Sequence, residues 1–351
     1  MMLLAGGGAL LTALAPWCGG DALRHQLTHA GWGGTLTCWD MVMPLFIFIV
    51  GASMPFAFAK YRSGGLGTGR MLWRIARRCV LLFILGMLVQ GHLATAVPAR
   101  MSLFCNTLQA IAEGYLIAAL CMLLGGVRTQ LIACALCLVT YWAALRFIPY
   151  GGHAAGLFQA QDNLAIWIDH RLQGRWQDGT PYSWILTSLS FGALTLLGAM
   201  GGHIIRRWPS GWRSAGVLAA AALACLGSGW LLSYDTPIIK HIFTTSMVLW
   251  SAGWCFALLA LFHLLFDKLP ALSCLAYPLR VFGSNAILAY LLTQTPGLHG
   301  LSLWKSFTYP LLGGVSSLAG PAAQAVYEAS SLTLLFLLLL YLHRHHLHLR
   351  V

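Results

Sequence analysis

Apolar residues along this chain come in long blocks broken by short polar stretches, not at the two- or 3.6-residue spacing of a half-buried strand or helix. Ten blocks stand out: 2–15, 41–59, 72–92, 104–125, 130–149, 183–205, 214–233, 242–266, 279–295 and 321–343. A helix rises ~1.5 Å per residue, so about twenty apolar residues cross the ~30 Å hydrocarbon core of a bilayer. The pattern predicts an all-α polytopic membrane protein, a bundle of about ten transmembrane helices forming one domain over 1–351. The first block is short and holds Gly6, Gly7 and Gly8. It reads as a partial span or as the remnant of a truncated N-terminus. It has no charged leader of the kind that precedes a cleavable signal.

Composition narrows the class. Hydrophobic residues make up 58% and charged residues 9%, against ~25% charged in an average soluble domain. That excludes a soluble enzyme, which needs charge to cover its surface, and a disordered chain, which needs low hydrophobicity. The net charge of +12 does not point to nucleic acid, because the basic residues lie scattered between apolar blocks. They sort by loop instead, as cytoplasmic loops of membrane proteins hold an excess of Lys and Arg. Placing the loop after the second block in the cytoplasm puts about two thirds of the 21 basic residues there. Both termini follow them. The expected location is a bacterial cytoplasmic (inner) membrane, with the bilayer itself as a partner. Loops 16–40 and 150–182 then face outward, and loops held by a rigid bundle are where chemistry tends to sit.

The densest cluster of polar and special residues is 29–55, running from His29 through Trp32, Gly34, Thr37, Asp40, Pro44 and Gly51 to Ser53 and Pro55. It is a polar loop leading into an apolar helix. Asp40 lies four residues before Pro44, which suits a helix cap as well as a carboxylate partner for His29. Trp32 suits an interfacial anchor as well as a platform for a ring. Lys240 opens the eighth block from the outer side, as a snorkelling interface lysine or as a contact for an anion. His343, Arg344, His345, His346, His348 and Arg350 form a basic tail that reads as a lipid-surface anchor.

The segment is similar to the pattern His-x-x-Trp-x-Gly-x-Thr-x-x-Asp-x-x-x-Pro-x-Phe-x-Phe-Ile-x-Gly-x-Ser, with one extra residue between Gly34 and Asp40. It is matched by His29, Trp32, Gly34, Thr35 or Thr37, Asp40, Pro44, Phe46, Phe48, Ile49, Gly51 and Ser53. It resembles the transmembrane acetyltransferases typified by heparan-α-glucosaminide N-acetyltransferase, most of all their uncharacterised bacterial relatives. Weaker blocks continue the resemblance in order: Arg77-Arg78 ahead of an apolar run, Thr107-Leu-Gln109, Asn163 to Asp169, Thr187 to Gly202, and Phe282-Gly-Ser-Asn285-Ala-Ile-Leu-x-Tyr290. There are departures. The family's opening Leu-Asp-x-x-Arg-Gly stretch is absent, residues 1–40 hold no Asn ahead of the His, and Gln294 stands where a His is usual.

The resemblance implies transfer of an acetyl group from cytoplasmic acetyl-CoA to an amino-sugar or glycan on the far side, with no metal. A homodimer is the family's expectation. His29 matches the catalytic histidine, as general base or as acetyl carrier, and imidazole chemistry allows both at neutral pH. Asp40 would orient it, and Trp32 would meet the sugar. Asn285 and Gln109 would hydrogen-bond the thioester carbonyl or else join helices. Arg74, Arg77 and Arg78 would hold the donor's phosphates through their planar forks. Two other readings stay open: a transporter or flippase for a glycan or small molecule, and a non-catalytic envelope scaffold.

Overall fold

The computed structural model describes residues 22, 25–65, 67–93, 101–209, 211–268, 274–294 and 323–349. Apart from two isolated bridges, the described residues form helices, turns and loops. In chain order the α-helices are α1 (Val42–Ser63), α2 (Thr68–Val89), α3 (Thr107–Leu124), α4 (Val127–Phe147), α5 (Leu164–Gln173), α6 (Ser188–Arg207), α7 (Trp212–Leu232), α8 (Thr245–Phe262), α9 (Ala276–Ser284), α10 (Ala286–Gln294) and α11 (Ala323–Arg344).

Six of these helices are long and apolar enough to cross a membrane: α1, α3, α4, α6, α7, and α8 with its π-helical continuation to Asp267. The expected ten is therefore met only in part. Block 2–15 lies outside the described residues. Block 72–92 is helical as α2, but Arg70, Arg74, Arg77 and Arg78 crowd its first half. Block 279–295 is not one continuous helix. It breaks at Asn285 into two nine-residue helices, each only ~13 Å long.

The central helix is α6, packed against α1, α3, α4 and α8. Its contact with α1 is a backbone-to-backbone crossing. A Cβ on Gly51 would stand 2.0 Å from the Thr195 carbonyl oxygen, one on Gly198 2.0 Å from that of Phe48, and one on Gly202 2.2 Å from that of Ala52. Only residues without side chains permit this approach, and in a bilayer close packing is itself what drives helix association. The crossing fixes α1, and with it the loop holding His29 and Asp40, against the rest of the bundle.

Above the bundle, at the end where α1 begins, the segment between α4 and α6 packs a second apolar cluster. It joins Tyr141, Tyr150, Leu164 and Ile166 to Ile239 and Ile242, the latter two just before α8. Asn163 caps α5 by accepting from the Ile166 N–H at 2.9 Å. The Asp169 carboxylate accepts from the Trp184 N–H at 2.6 Å and the Ile185 N–H at 3.0 Å. These bonds bring the 178–184 segment and residues 239–242 beside the His29 loop. A third cluster joins Val281 and Phe282 of α9 to Leu335 and Leu339 of α11.

Candidate functional site

The loop before α1 is organised by one carboxylate. Asp40 is fully buried. Its Oδ2 accepts from the N–H of Ala30 (3.1 Å), the N–H of Thr37 (3.1 Å) and the Thr37 hydroxyl (3.1 Å). Its Oδ1 accepts from Lys240 Nζ at 2.8 Å and lies 3.2 Å from His29 Nδ1. The first residue before α1 is Met41, and no side chain caps the helix. Asp40 is therefore a tie between loop strands, not the helix cap that its spacing from Pro44 allows. Burial raises its carboxyl pKa, but hydrogen bonds from His29 and Lys240 outweigh that and hold it below the usual carboxylate range.

His29 is the exposed member of the cluster, with 56% of its side chain accessible. Its Nδ1 is 2.7 Å from Lys240 Nζ, and its Nε2 accepts from the Trp39 indole N–H at 2.9 Å. Lys240 is buried and also lies over the Tyr182 ring, 6.0 Å from its centroid. The sequence suggests an interface lysine snorkelling to water. Instead the chain folds Lys240 inward between two residues about 200 positions away. No local signal marks it, because the pairing with Asp40 exists only once α1 and α8 are packed.

His29 and Lys240 line a cavity of about 280 Å³, with Trp39, Tyr182, Trp184, Gln90, Asp178 and Tyr290 among its walls. Asp178 Oδ1 accepts from the N–H and hydroxyl of Thr180. Gln90 accepts from Asn106 Nδ2 at 2.8 Å, and Asn106 accepts from the Tyr290 hydroxyl at 3.2 Å. The cavity shares Phe46, Thr107 and Tyr290 with a second one of about 370 Å³. That second cavity is bounded by α1, α2, α3, α9 and α10, is lined by residues such as Ile49, Leu82, Ile111, Phe282 and Ile287, and contains Arg78.

The remaining expected site residues divide. Arg78 faces the apolar cavity and stacks on Tyr115 at 4.4 Å, leaving its buried Nε without a partner. Arg74 lies over the Tyr61 ring at 5.0 Å, and both Arg74 and Arg77 are exposed and line neither cavity. Trp32 also lines neither cavity. It stacks on His241 with centroids 5.1 Å apart and donates from Nε1 to the Phe158 carbonyl at 2.8 Å. One face of its ring is thereby taken, and it pins the His29 loop to the segment before α8.

Gln109 closes a capping box at the start of α3. Its Oε1 accepts from the N–H groups of Cys105 and Asn106 at 2.8 and 3.1 Å, and its Nε2 donates to the Leu103 carbonyl. Asn285 sits at the break between α9 and α10, where its amide donates to the Leu347 carbonyl and accepts from the Leu349 N–H, both at 3.0 Å. Both amides are committed to backbone partners, which leaves neither directed at a bound thioester. Sequence alone cannot separate these roles, since a cap and a ligand contact draw on the same residue types.

The geometry defines a class: an all-helical bundle with membrane-length apolar helices and a polar His–Asp–Lys cluster at one end, opening on a cavity. Compared with protein-family models and with curated proteins, the chain matches none.

Proposed function

We propose that the protein is an integral-membrane acyltransferase that moves an acetyl group from acetyl-CoA to an amine of a sugar or glycan, with His29 at the reaction centre. The carrying observation is the adjacency of two cavities that share Phe46, Thr107 and Tyr290 as walls. A polar chamber lined by His29, Lys240 and Asp178 shares walls with an apolar cavity that is lined in part by half-buried Arg78. A donor with a phosphate-bearing end and a long thin arm suits that cavity, with Arg78 placed to donate hydrogen bonds to it. In this reading the chain crosses a bacterial inner membrane about ten times, with both termini and the donor in the cytoplasm. His29 then faces the acceptor outside, and copies pair as a homodimer.

The chemistry follows from the tautomer. Trp39 offers only a donor to Nε2, so Nε2 carries the lone pair. When an acceptor displaces Trp39, that lone pair is free to take a proton from the attacking amine. The new C–N bond forms, the thioester C–S bond breaks, and the thiol leaves. The aromatic wall of Trp39, Tyr182, Trp184 and Tyr290 gives a pyranose ring faces to stack on.

The test is incubation of purified protein with radiolabelled acetyl-CoA and a panel of amino-sugars. N-acetylated product from the wild type and its loss in His29→Ala, with unchanged thermal stability, is the expected result. No product with any amine or hydroxyl acceptor, together with no acetyl-CoA binding, would sink the enzyme reading. One observation favours the transporter alternative: the helix broken at Asn285 borders the apolar cavity, and interrupted helices mark substrate sites in transporters. Uptake of a labelled glycan without covalent change is the result that reading requires.

A further inference from the structure

Counting hydrogens around His29 gives more than a position for it. The imidazole has a donor-only indole N–H on Nε2 at 2.9 Å and an amine nitrogen on Nδ1 at 2.7 Å. A neutral imidazole has one N–H and one lone pair. If Lys240 were an ammonium, either both nitrogens would aim hydrogens at Asp40 Oδ1 and face each other at 2.7 Å with none between them, or Nδ1 would have to be the acceptor. In the latter case the ring hydrogen would sit on Nε2, pointing at the hydrogen of Trp39. If the ring were doubly protonated, the Trp39 contact would be donor against donor. One arrangement puts a hydrogen between each pair of nitrogens in short contact, with Asp40 Oδ1 as a second, longer acceptor of the Nδ1–H at 3.2 Å. Nε2 accepts from Trp39, Nδ1–H donates to the Lys240 lone pair, and a Lys240 N–H donates to Asp40 Oδ1 at 2.8 Å.

We propose that Lys240 is an uncharged amine in the resting site and is the final acceptor of the proton that His29 takes from the attacking group. The second half rests on the acyltransfer reading above; the first half does not. The surroundings fit. Lys240 is buried, and the titratable groups around it are Asp40 and His29 from the loop, Tyr182 and Asp178 from the segment after α5, and its neighbour His241. Asp40 alone among them is a carboxylate in contact with it, and the Ala30 and Thr37 N–H groups already share that carboxylate's charge. Burial, opposed in part by Asp40, also holds the amine below the usual lysine range.

The proton balance is complete within the site. As the amine attacks the thioester carbonyl, its proton passes to Nε2 and the Nδ1 proton passes to Lys240, which becomes an ammonium against the Asp40 carboxylate. The departing thiolate takes one proton back along the same path. Amide and thiol are the only products, and the site returns to its starting state. Lys240 is thus a positioning and relay residue that never touches the acyl group. An acetylated Lys240 would be a stable amide, and so a dead end rather than a carrier.

Two measurements test this. The first is trace labelling of the full-length protein in detergent with acetic anhydride from pH 6 to 11, with Lys240 and exposed Lys60 quantified by mass spectrometry. The midpoint of each profile reports the amine's own titration whatever its access. The expected midpoint for Lys240 lies at or below about pH 7, about three units or more below that of Lys60, and a midpoint above that overturns the neutral resting amine. Coinciding midpoints, or labelling of Lys60 alone across the range, overturn the neutral amine. The second is turnover of Lys240→Arg, which cannot lose its proton, and of Lys240→Met, which cannot gain one. Both are expected to lower kcat by about 10²-fold or more and to remove an acid-side inflection of the wild-type pH profile, where activity falls as Lys240 takes up a proton. Unchanged profiles overturn the relay. If labelling succeeds where no acyl transfer is found, the acyltransferase reading fails and the protonation state stands.

Discussion

Replacing Asp40 by Asn removes one charge and one acceptor from the best-connected group in the site, and the structure gives the size of the effect. The principal donors to the carboxylate are the N–H groups of Ala30 and Thr37 on Oδ2 and Lys240 Nζ on Oδ1, with His29 Nδ1 at a longer 3.2 Å. An amide has only one oxygen. Turned towards the loop, it leaves its own NH2 against Lys240 and His29 and gives up a hydrogen bond to a charged acceptor, worth ~1.5–3 kcal/mol. Turned the other way, it orphans the Ala30 and Thr37 N–H groups, at ~1–3 kcal/mol each. The smaller loss sets the floor, so Asp40→Asn is expected to destabilise by at least about 2 kcal/mol. SDS titration in mixed micelles, followed by tryptophan fluorescence, measures this directly. A cycle with Lys240→Met separates the direct pair from general damage, and the two changes should couple by about 1 kcal/mol or more. An Asp40→Asn protein within ~0.5 kcal/mol of wild type, or strict additivity with Lys240→Met, would refute the buried network.

Three further outcomes are expected. Gly198→Ala places a Cβ against the Phe48 carbonyl, 2.0 Å away on rigid helix backbone, and should cost ~1–3 kcal/mol or more in the same titration; full stability would mean that α1 and α6 do not cross there. Tyr141→Phe removes the hydroxyl that bonds the Ile242 carbonyl and Thr187 in a fully buried setting, with an expected loss of ~1–2 kcal/mol; no loss would mean that Tyr141 does not brace the segment before α8. Burial raises Asp169 to about 6 in the folded chain, partly offset by the Ile185 and Trp184 N–H groups. Because the folded state holds that proton more tightly than the unfolded one, Asp169 lowers stability as pH rises from about 4 through 6. Asp169→Asn should flatten thermal stability over that window, whereas the Asp40 contribution, with its depressed carboxyl, is lost only as pH falls below about 4. Wild-type and Asp169→Asn melting curves that stay parallel across pH 4–6 would contradict this.

Much of the architecture was legible along the chain because a bilayer asks so much of a sequence. A segment that must bury every backbone group and meet lipid on its surface has to be long and apolar, and α1, α3, α4, α6, α7 and α8 all lie within or near blocks read from hydropathy alone. The break at Asn285 was not legible. Both halves of that block are apolar, and hydropathy records solvation rather than helix continuity. What stops the helix is an amide that bonds the Leu347 and Leu349 backbone, more than sixty residues further on.

The candidate site divides along the same line. His29, Thr37 and Asp40 lie within a dozen residues of one another, so their grouping was a local fact that the sequence determined. Lys240 became part of it only through packing. Gly51, Gly198 and Gly202 let α1 and α6 touch along their backbones, Asp169 and Tyr141 tie the segments before α6 and α8 into place, and an amine about 200 residues from Asp40 comes to 2.8 Å from its carboxylate. Gln109 and Asn285 have their amides bonded to backbone groups, as a polar side chain in an apolar setting bonds the nearest unsatisfied group. The sequence by itself determined which residues are able to carry chemistry here. The tertiary structure decided which of them face the cavity and which come within hydrogen-bonding distance of one another, because those ångström distances are set only by the folded chain.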